Sequence, residues 1–113
     1  MKSAVLFAFC LAASVAPAAA QNRADFEKAQ AELARAVELK LADIAKRPTY
    51  ADRVEEAKSR FQTAQREWER FRDAECAARA AVAILISART LEGLTIDCMH
   101  SLTERRIMEI SKY

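Results

Sequence analysis

The sequence predicts an all-α protein, a small antiparallel helical hairpin or three-helix bundle with one disulfide. Three observations carry that expectation. The 113 residues include one Gly and two Pro, and Ala, Glu, Lys, Arg, Gln and Leu dominate; these are the residues with the highest helix propensity. Apolar residues recur three and four apart, and no segment alternates apolar with polar for long, so no strand is predicted. Finally, two cysteines, Cys76 and Cys98, remain once the N-terminal leader is set aside.

The leader has three parts. Lys2 gives a positive start, Ala4 to Val15 is an apolar run, and Pro17 precedes Ala18-Ala19-Ala20, the small residues a signal peptidase accepts. The apolar run is shorter than the roughly 20 residues needed to cross a bilayer, which favours a cleaved signal peptide over an anchor. Residues 1–20 are therefore read as the signal, with cleavage after Ala20 and no membrane insertion afterwards. Cys10 is an apolar position of that run; Phe9 before it does not fit a lipoprotein site, which needs a small residue there. Removing 20 of the 113 residues leaves 93, Gln21 to Tyr113, enough for a single domain. Removing Lys2 from 18 basic residues leaves 17 against 16 acidic ones. The charges are interspersed along the chain, so there is no one-signed stretch for nucleic acid or an anionic membrane.

Helix 1 is expected from about Ala24 to Lys46. Phe26, Leu33, Val37, Leu41 and Ile44 share a face, with Ala29 and Ala36 between them. Asp25 and Glu27 near its start and Lys46 and Arg47 at its end suit the helix dipole, and Pro48 stops it. Thr49 is the expected cap of helix 2, with Asp52 in the third position of a capping box. Helix 2 then starts near Tyr50. Val54, Ala57, Phe61, Ala64, Trp68 and Phe71 are spaced three, four, three, four, three. That heptad stripe predicts shallow-angle packing on another helix, and the short link through Pro48 predicts an antiparallel hairpin with helix 1. Helix 3 is expected after Gly93, starting at Leu94 or Thr95, with Met99, Leu102, Ile107 and Ile110 on its apolar side.

An even pair of cysteines in an oxidising compartment reads as an internal disulfide between Cys76 and Cys98, with two free thiols or an intermolecular bridge as the alternatives. The bond constrains the chain path. Its Cα atoms must come within about 7 Å. A helix running on to Ala88 would carry Cys76 roughly 18 Å from the turn. The chain is therefore expected to reverse within 85–92, because helix 2 ends around 80–85 or helix 3 begins before Gly93.

Several of these residues also resemble a known family. Gln65-Arg66-Glu67-Trp68, Phe71-Arg72-Asp73-Ala74-Glu75-Cys76 and Cys98-Met99-His100-Ser101-Leu102-Thr103-Glu104-Arg105-Arg106 resemble the N-terminal domain family of the lysozyme inhibitor LprI. Its members are small exported bacterial helical proteins. The likeness covers about Phe61 to Ile110 and rests on Gln65, Arg66, Trp68, Phe71, Arg72, Asp73, Leu102, Thr103 and Arg106 together with the cysteine pair. This chain lacks the earlier cysteine pair and the Gly-Gly that relatives often carry. The resemblance implies a protein-binding module with lysozyme as a candidate partner.

Read physically, Trp68 belongs with Phe61, Phe71 and Leu102 in the core stripe. Arg72 and Asp73 are adjacent, about 100° apart on a helix, and are expected to take different partners. Arg105 and Arg106 are expected to reach acidic groups of helix 2 such as Glu75. No catalytic, cofactor or metal site is predicted. His100 is the only histidine, too few ligands for a metal site, and its neighbour Ser101 faces elsewhere on a helix. A single glycine gives no phosphate loop. The expected function is that of a periplasmic or secreted protein-binding module and not an enzyme. The alternative is a structural or oligomerising envelope protein using Val82 to Ile86 as an apolar contact.

Overall fold

The computed structural model describes residues 18–113. Lys2, the apolar run Ala4 to Val15, Cys10 and Pro17 lie outside the described residues. Three helices and one short 3-10 turn follow in order: α1 (Ala18–Ala45), a 3-10 turn (Pro48–Arg53), α2 (Val54–Ala83) and α3 (Leu91–Ile110). There is no strand among the described residues.

α1 already includes Ala18, the first described residue, six residues ahead of the expected Ala24; Ala18-Ala19-Ala20-Gln21 are strong helix formers. Its inward face carries the buried Phe26, Ala29 and Leu33, followed by the half-buried Val37, Leu41 and Ile44. At its end Asp43 accepts from the Arg47 guanidinium at 2.8 Å, with Lys40 3.8 Å away. The Arg47 hydrogen bond, followed by its charge, holds the Asp43 carboxyl below the usual carboxylate range. Pro48 then opens the 3-10 turn, where its fixed φ and missing N–H cost nothing. α2 consequently starts at Val54, later than expected. Its N-cap position is Arg53 rather than Thr49, with no side-chain cap, and Glu55 and Glu56 lie in its first turn.

The reversal occupies residues 84–90, close to the expected window. α2 ends at Ala83 and α3 begins at Leu91. Gly93 lies inside the first turn of α3, not ahead of it. Thr90 is the N-cap, and its Oγ1 accepts from the Gly93 N–H at 3.0 Å. A Cβ on Gly93 would stand 3.0 Å from that same Oγ1, so the cap and the glycine fit as a pair.

Residue 87 is the midpoint between Cys76 and Cys98, and the turn is centred there. Two helices leaving it antiparallel bring both cysteines to one height, with Cα atoms 5.5 Å apart and the sulfurs at disulfide distance. α3 lies against both other helices. It runs antiparallel to α2 and parallel to α1, whose Arg23 pairs with Glu92 at one end and whose Ala36 and Lys40 lie beside Ile107 and Ile110 near the other. α1 and α2 do form the expected antiparallel hairpin, with Phe26 beside Arg72, but α1 packs more extensively on α3. The hydrocarbon core is Leu33, Phe61 and Ile110, surrounded by Val37, Leu41, Ile44, Trp68 and Ile107.

Closing a loop of 22 residues is worth about 3 kcal/mol. Reduction, or the double change Cys76→Ser and Cys98→Ser, is expected to lower unfolding free energy by about that much in urea titrations; a loss below about 0.5 kcal/mol would contradict it. Thr90→Ala is expected to cost about 1 kcal/mol by the same measurement, through the orphaned Gly93 N–H.

Candidate functional site

The inward face of α2 is not the one its apolar spacing suggests. Phe61, Gln65, Arg72, Cys76 and Ala80 are buried and Trp68 is half-buried, whereas Ala57, Ala64 and Phe71 face outward. Phe71 is 54% exposed, a correction to its expected place in the core. The face turns because Arg72 and Gln65 find better partners inside than the small or exposed apolar residues beside them.

Those partners form a column of alternating aromatic rings and guanidinium groups. The Arg72 guanidinium lies 5.4 Å from the ring of Phe26 on α1 and 5.4 Å from that of Trp68. The Arg106 guanidinium of α3 also lies over Trp68, 5.7 Å from the indole, and is 5.5 Å from the ring of Tyr113. Tyr113 in turn meets Phe61 edge to face, with centroids 5.6 Å apart and planes at 78°. A cation over an aromatic face gains about 0.5 to 2 kcal/mol, most when water is excluded.

Hydrogen bonds satisfy the edges of both guanidinium groups. Arg72 donates through Nε to Asp73 Oδ1 at 2.9 Å and through Nη1 to Thr103 Oγ1 at 3.3 Å. Thr103 is fully buried, and its hydroxyl donates onward to the Met99 carbonyl at 2.7 Å. Arg106 donates through Nε to Gln65 Oε1 and through Nη1 to the Tyr113 hydroxyl, both at 3.1 Å, with Glu109 Oε2 at 3.5 Å. The balancing carboxylates, Asp73 and Glu109, stand at the rim in contact with water. This placement leaves each ion pair partly hydrated while the cation is held between rings, which limits the cost of burying it. Gln65 Nε2 is the one buried side-chain polar atom without a hydrogen-bond partner among the described residues.

Two expected pairings are corrected. Arg72 and Asp73 bond each other directly, since the long arginine folds back over the next residue. Arg106 reaches Gln65, Tyr113 and Glu109 but not Glu75. Glu75 pairs with Arg79 one turn along its own helix, and Arg105 is exposed. Of the other singled-out residues, Leu102 is buried in α3, and Arg66 is exposed and donates to Thr63 Oγ1 at 3.1 Å. Phe26 is on the inward face of α1 as its spacing predicts, but its contact with Arg72, and the place of Tyr113 at the other end, are not foreseen by that spacing. Their signal was weak: Tyr113 stands seven residues after Arg106, beyond the helix end. Thr90 was likewise missed as the cap of α3.

Among the described residues no serine, threonine or cysteine side chain hydrogen-bonds His100. His100 Nε2 lies 3.2 Å from Glu104 Oε1 in a notch of about 180 Å³ between α1 and α3, lined also by Asp25, Lys28 and Glu32. No group of three or more metal-binding side chains occurs among the described residues. None of the described helices is long and apolar enough to cross a membrane. Large apolar side chains are nevertheless exposed at one end of the bundle, where Val82, Leu85 and Ile86 are 70%, 80% and 94% exposed.

The fold is a three-helix bundle with a cysteine pair at disulfide distance, two arginines, Arg72 and Arg106, buried in its core, and large apolar side chains exposed at one turn. The family model described as lysozyme inhibitor LprI matches residues 10–110, and the chain belongs to that family. No curated protein and no solved structure matches it.

The column makes a sharp distinction among neighbouring residues. Arg72→Ala is expected to lower stability by about 2 to 3 kcal/mol, through two lost ring contacts, the Thr103 bond and the void. Arg66→Ala should stay within about 0.5 kcal/mol. Urea unfolding followed by the fluorescence of the single tryptophan, Trp68, checks both. Equal losses for the two arginines would rule out the buried column.

Proposed function

We propose that this protein is exported by its N-terminal 20 residues and acts from the periplasm or outside the cell as a protein-binding inhibitor of a lysozyme. The family membership of residues 10–110 is the observation that supports the reading most strongly. Two further features agree with it. The leader has the order of a secretory signal, and a cysteine pair at disulfide distance suits an oxidising compartment. On this reading the mature chain is residues 21–113, and Gln65, Trp68, Arg72, Thr103 and Arg106 maintain the scaffold without touching the partner.

The contact surface must then lie outside the column. With 17 basic and 16 acidic residues after loss of Lys2 from the 18, the mature chain has no acidic excess to steer a basic lysozyme. Binding therefore rests on shape and on the apolar end formed by Leu85 and Ile86. Among the described residues these are the large apolar side chains most exposed to water, so they gain most from leaving it. The same exposed end also favours a second reading, a structural envelope protein that uses it for assembly and touches no lysozyme.

Turbidity assays with a panel of lysozymes separate the two. Inhibition at micromolar protein is expected, weakened at least tenfold by Ile86→Asp with the helical spectrum unchanged. Absence of inhibition throughout the panel at high micromolar concentration would end the inhibitor reading and leave the structural one.

A further inference from the structure

The Gln65 amide is held from one side only. Arg106 donates and cannot accept, so its Nε, 3.1 Å away, fixes Oε1 as the atom that faces it. Nε2 therefore takes the other branch of the amide, and its N–H groups meet no acceptor among the described residues. Gln65 is only 6% exposed, and turning the amide over would set Nε2 against the Arg106 donor. A buried donor without an acceptor is costly, so this one calls for an acceptor from outside the bundle. Gln65 also lines a pocket of about 280 Å³ between α1 and α2. Buried Leu33 and half-buried Val37 form its wall on α1, and exposed Ala34 leaves room at its mouth. On α2, exposed Glu69 follows Gln65 by one turn. The arginines nearest Glu69 in sequence are engaged elsewhere. Arg70 pairs with Glu67 at 3.0 Å, Arg72 with Asp73 at 2.9 Å, and Arg66 donates to Thr63. The pocket thus presents a hydrogen-bond donor and then an acceptor along α2, with hydrocarbon opposite them on α1.

We propose that this pocket binds a small neutral aliphatic carboxamide. The ligand carbonyl accepts from Gln65 Nε2, its N–H donates to the Glu69 carboxylate, and its alkyl chain lies on Leu33 and Val37. An amide carries an acceptor and a donor on one head, which matches the order of the two groups on α2. The nearest analogues fit less well. A carboxylate would bring a second negative charge to Glu69, and an ammonium has no lone pair for the Gln65 N–H groups. An alcohol has one oxygen to serve two groups a turn apart.

The volume is near the lower end for ligand sites, so the ligand is small, and a molecule of about six heavy atoms binds there with roughly millimolar affinity. The pocket lies roughly 27 Å along the helix axis from the end of α2 at Ala83. The proposal therefore does not depend on the lysozyme reading, whose contact is at Leu85 and Ile86.

NMR resolves glutamine side-chain NH2 pairs and leucine and valine methyls, so titrating the disulfide-bonded protein with butyramide, up to about 100 mM, reads the site directly. Saturable shifts are expected at the Gln65 NH2 pair and at the Leu33 and Val37 methyls. Butyrate, butylamine and butanol are each expected to bind roughly fivefold more weakly or worse. Gln65→Glu keeps an oxygen for Arg106 but has no N–H to offer, and is expected to weaken butyramide about tenfold. Ala34→Leu narrows the mouth of the pocket without touching the column, and is expected to weaken binding by a similar factor with the helical spectrum unchanged. Absence of shifts at the highest concentration, equal binding of butyramide and butanol, or binding indifferent to Ala34→Leu overturns the proposal.

Discussion

Trp68 is shared by two guanidinium groups, one from its own helix and one from α3, and the register of the whole bundle follows from that arrangement. A buried arginine is tolerable only where its charge meets polarisable faces and its N–H groups find acceptors. Arg72 meets both conditions only when Phe26 of α1 and Thr103 of α3 are at its height. Arg106 does so only when Gln65 and Tyr113 are at its height. Sliding α3 by one turn would leave two cations buried without partners. Hydrocarbon packing alone, with its small set of Leu33, Phe61 and Ile110, would discriminate far less between registers. The cysteine pair sits one turn beyond Arg72, so the covalent tie and the cation column enforce the same alignment.

The helices, their antiparallel order and the place of the reversal were legible in the sequence, for reasons that can be traced. Pro48 stops α1, and a bond between Cys76 and Cys98 requires the chain to reverse close to the middle of the segment between them. The inward face of α2 was not legible. Apolar spacing selects Ala57, Ala64 and Phe71 because it counts arginine and glutamine as surface residues, yet Arg72 and Gln65 are interior and Phe71 is outside. A guanidinium stacked on rings behaves as a large flat amphipath, which a two-letter apolar and polar code misassigns. Capping was misread for a related reason. Thr49 and Asp52 make a plausible box on paper, but the proline ahead of them favours a 3-10 turn, and α2 starts only after it. The sequence places Gly93 ahead of α3; in the structure it lies in the first turn of that helix, where a Cβ would stand 3.0 Å from the Thr90 hydroxyl, a tight contact.

Most of the residues that carry the family likeness are interior. Gln65, Arg72, Thr103 and Arg106 are buried, and Cys76 is fully so. Such a pattern describes how the scaffold is assembled. Exposed positions stand outside the column, at the apolar end formed by Leu85 and Ile86 and along the notch beside His100.

The cross-link between Cys76 and Cys98 encloses the turn on both sides. A protease that reached the exposed stretch between Ala83 and Leu91 could sever one peptide bond there without releasing either piece, because sulfur would still join them below the cut. The column and the hydrocarbon core would hold the two fragments in place. The bundle would thus keep its shape after a cut in that segment.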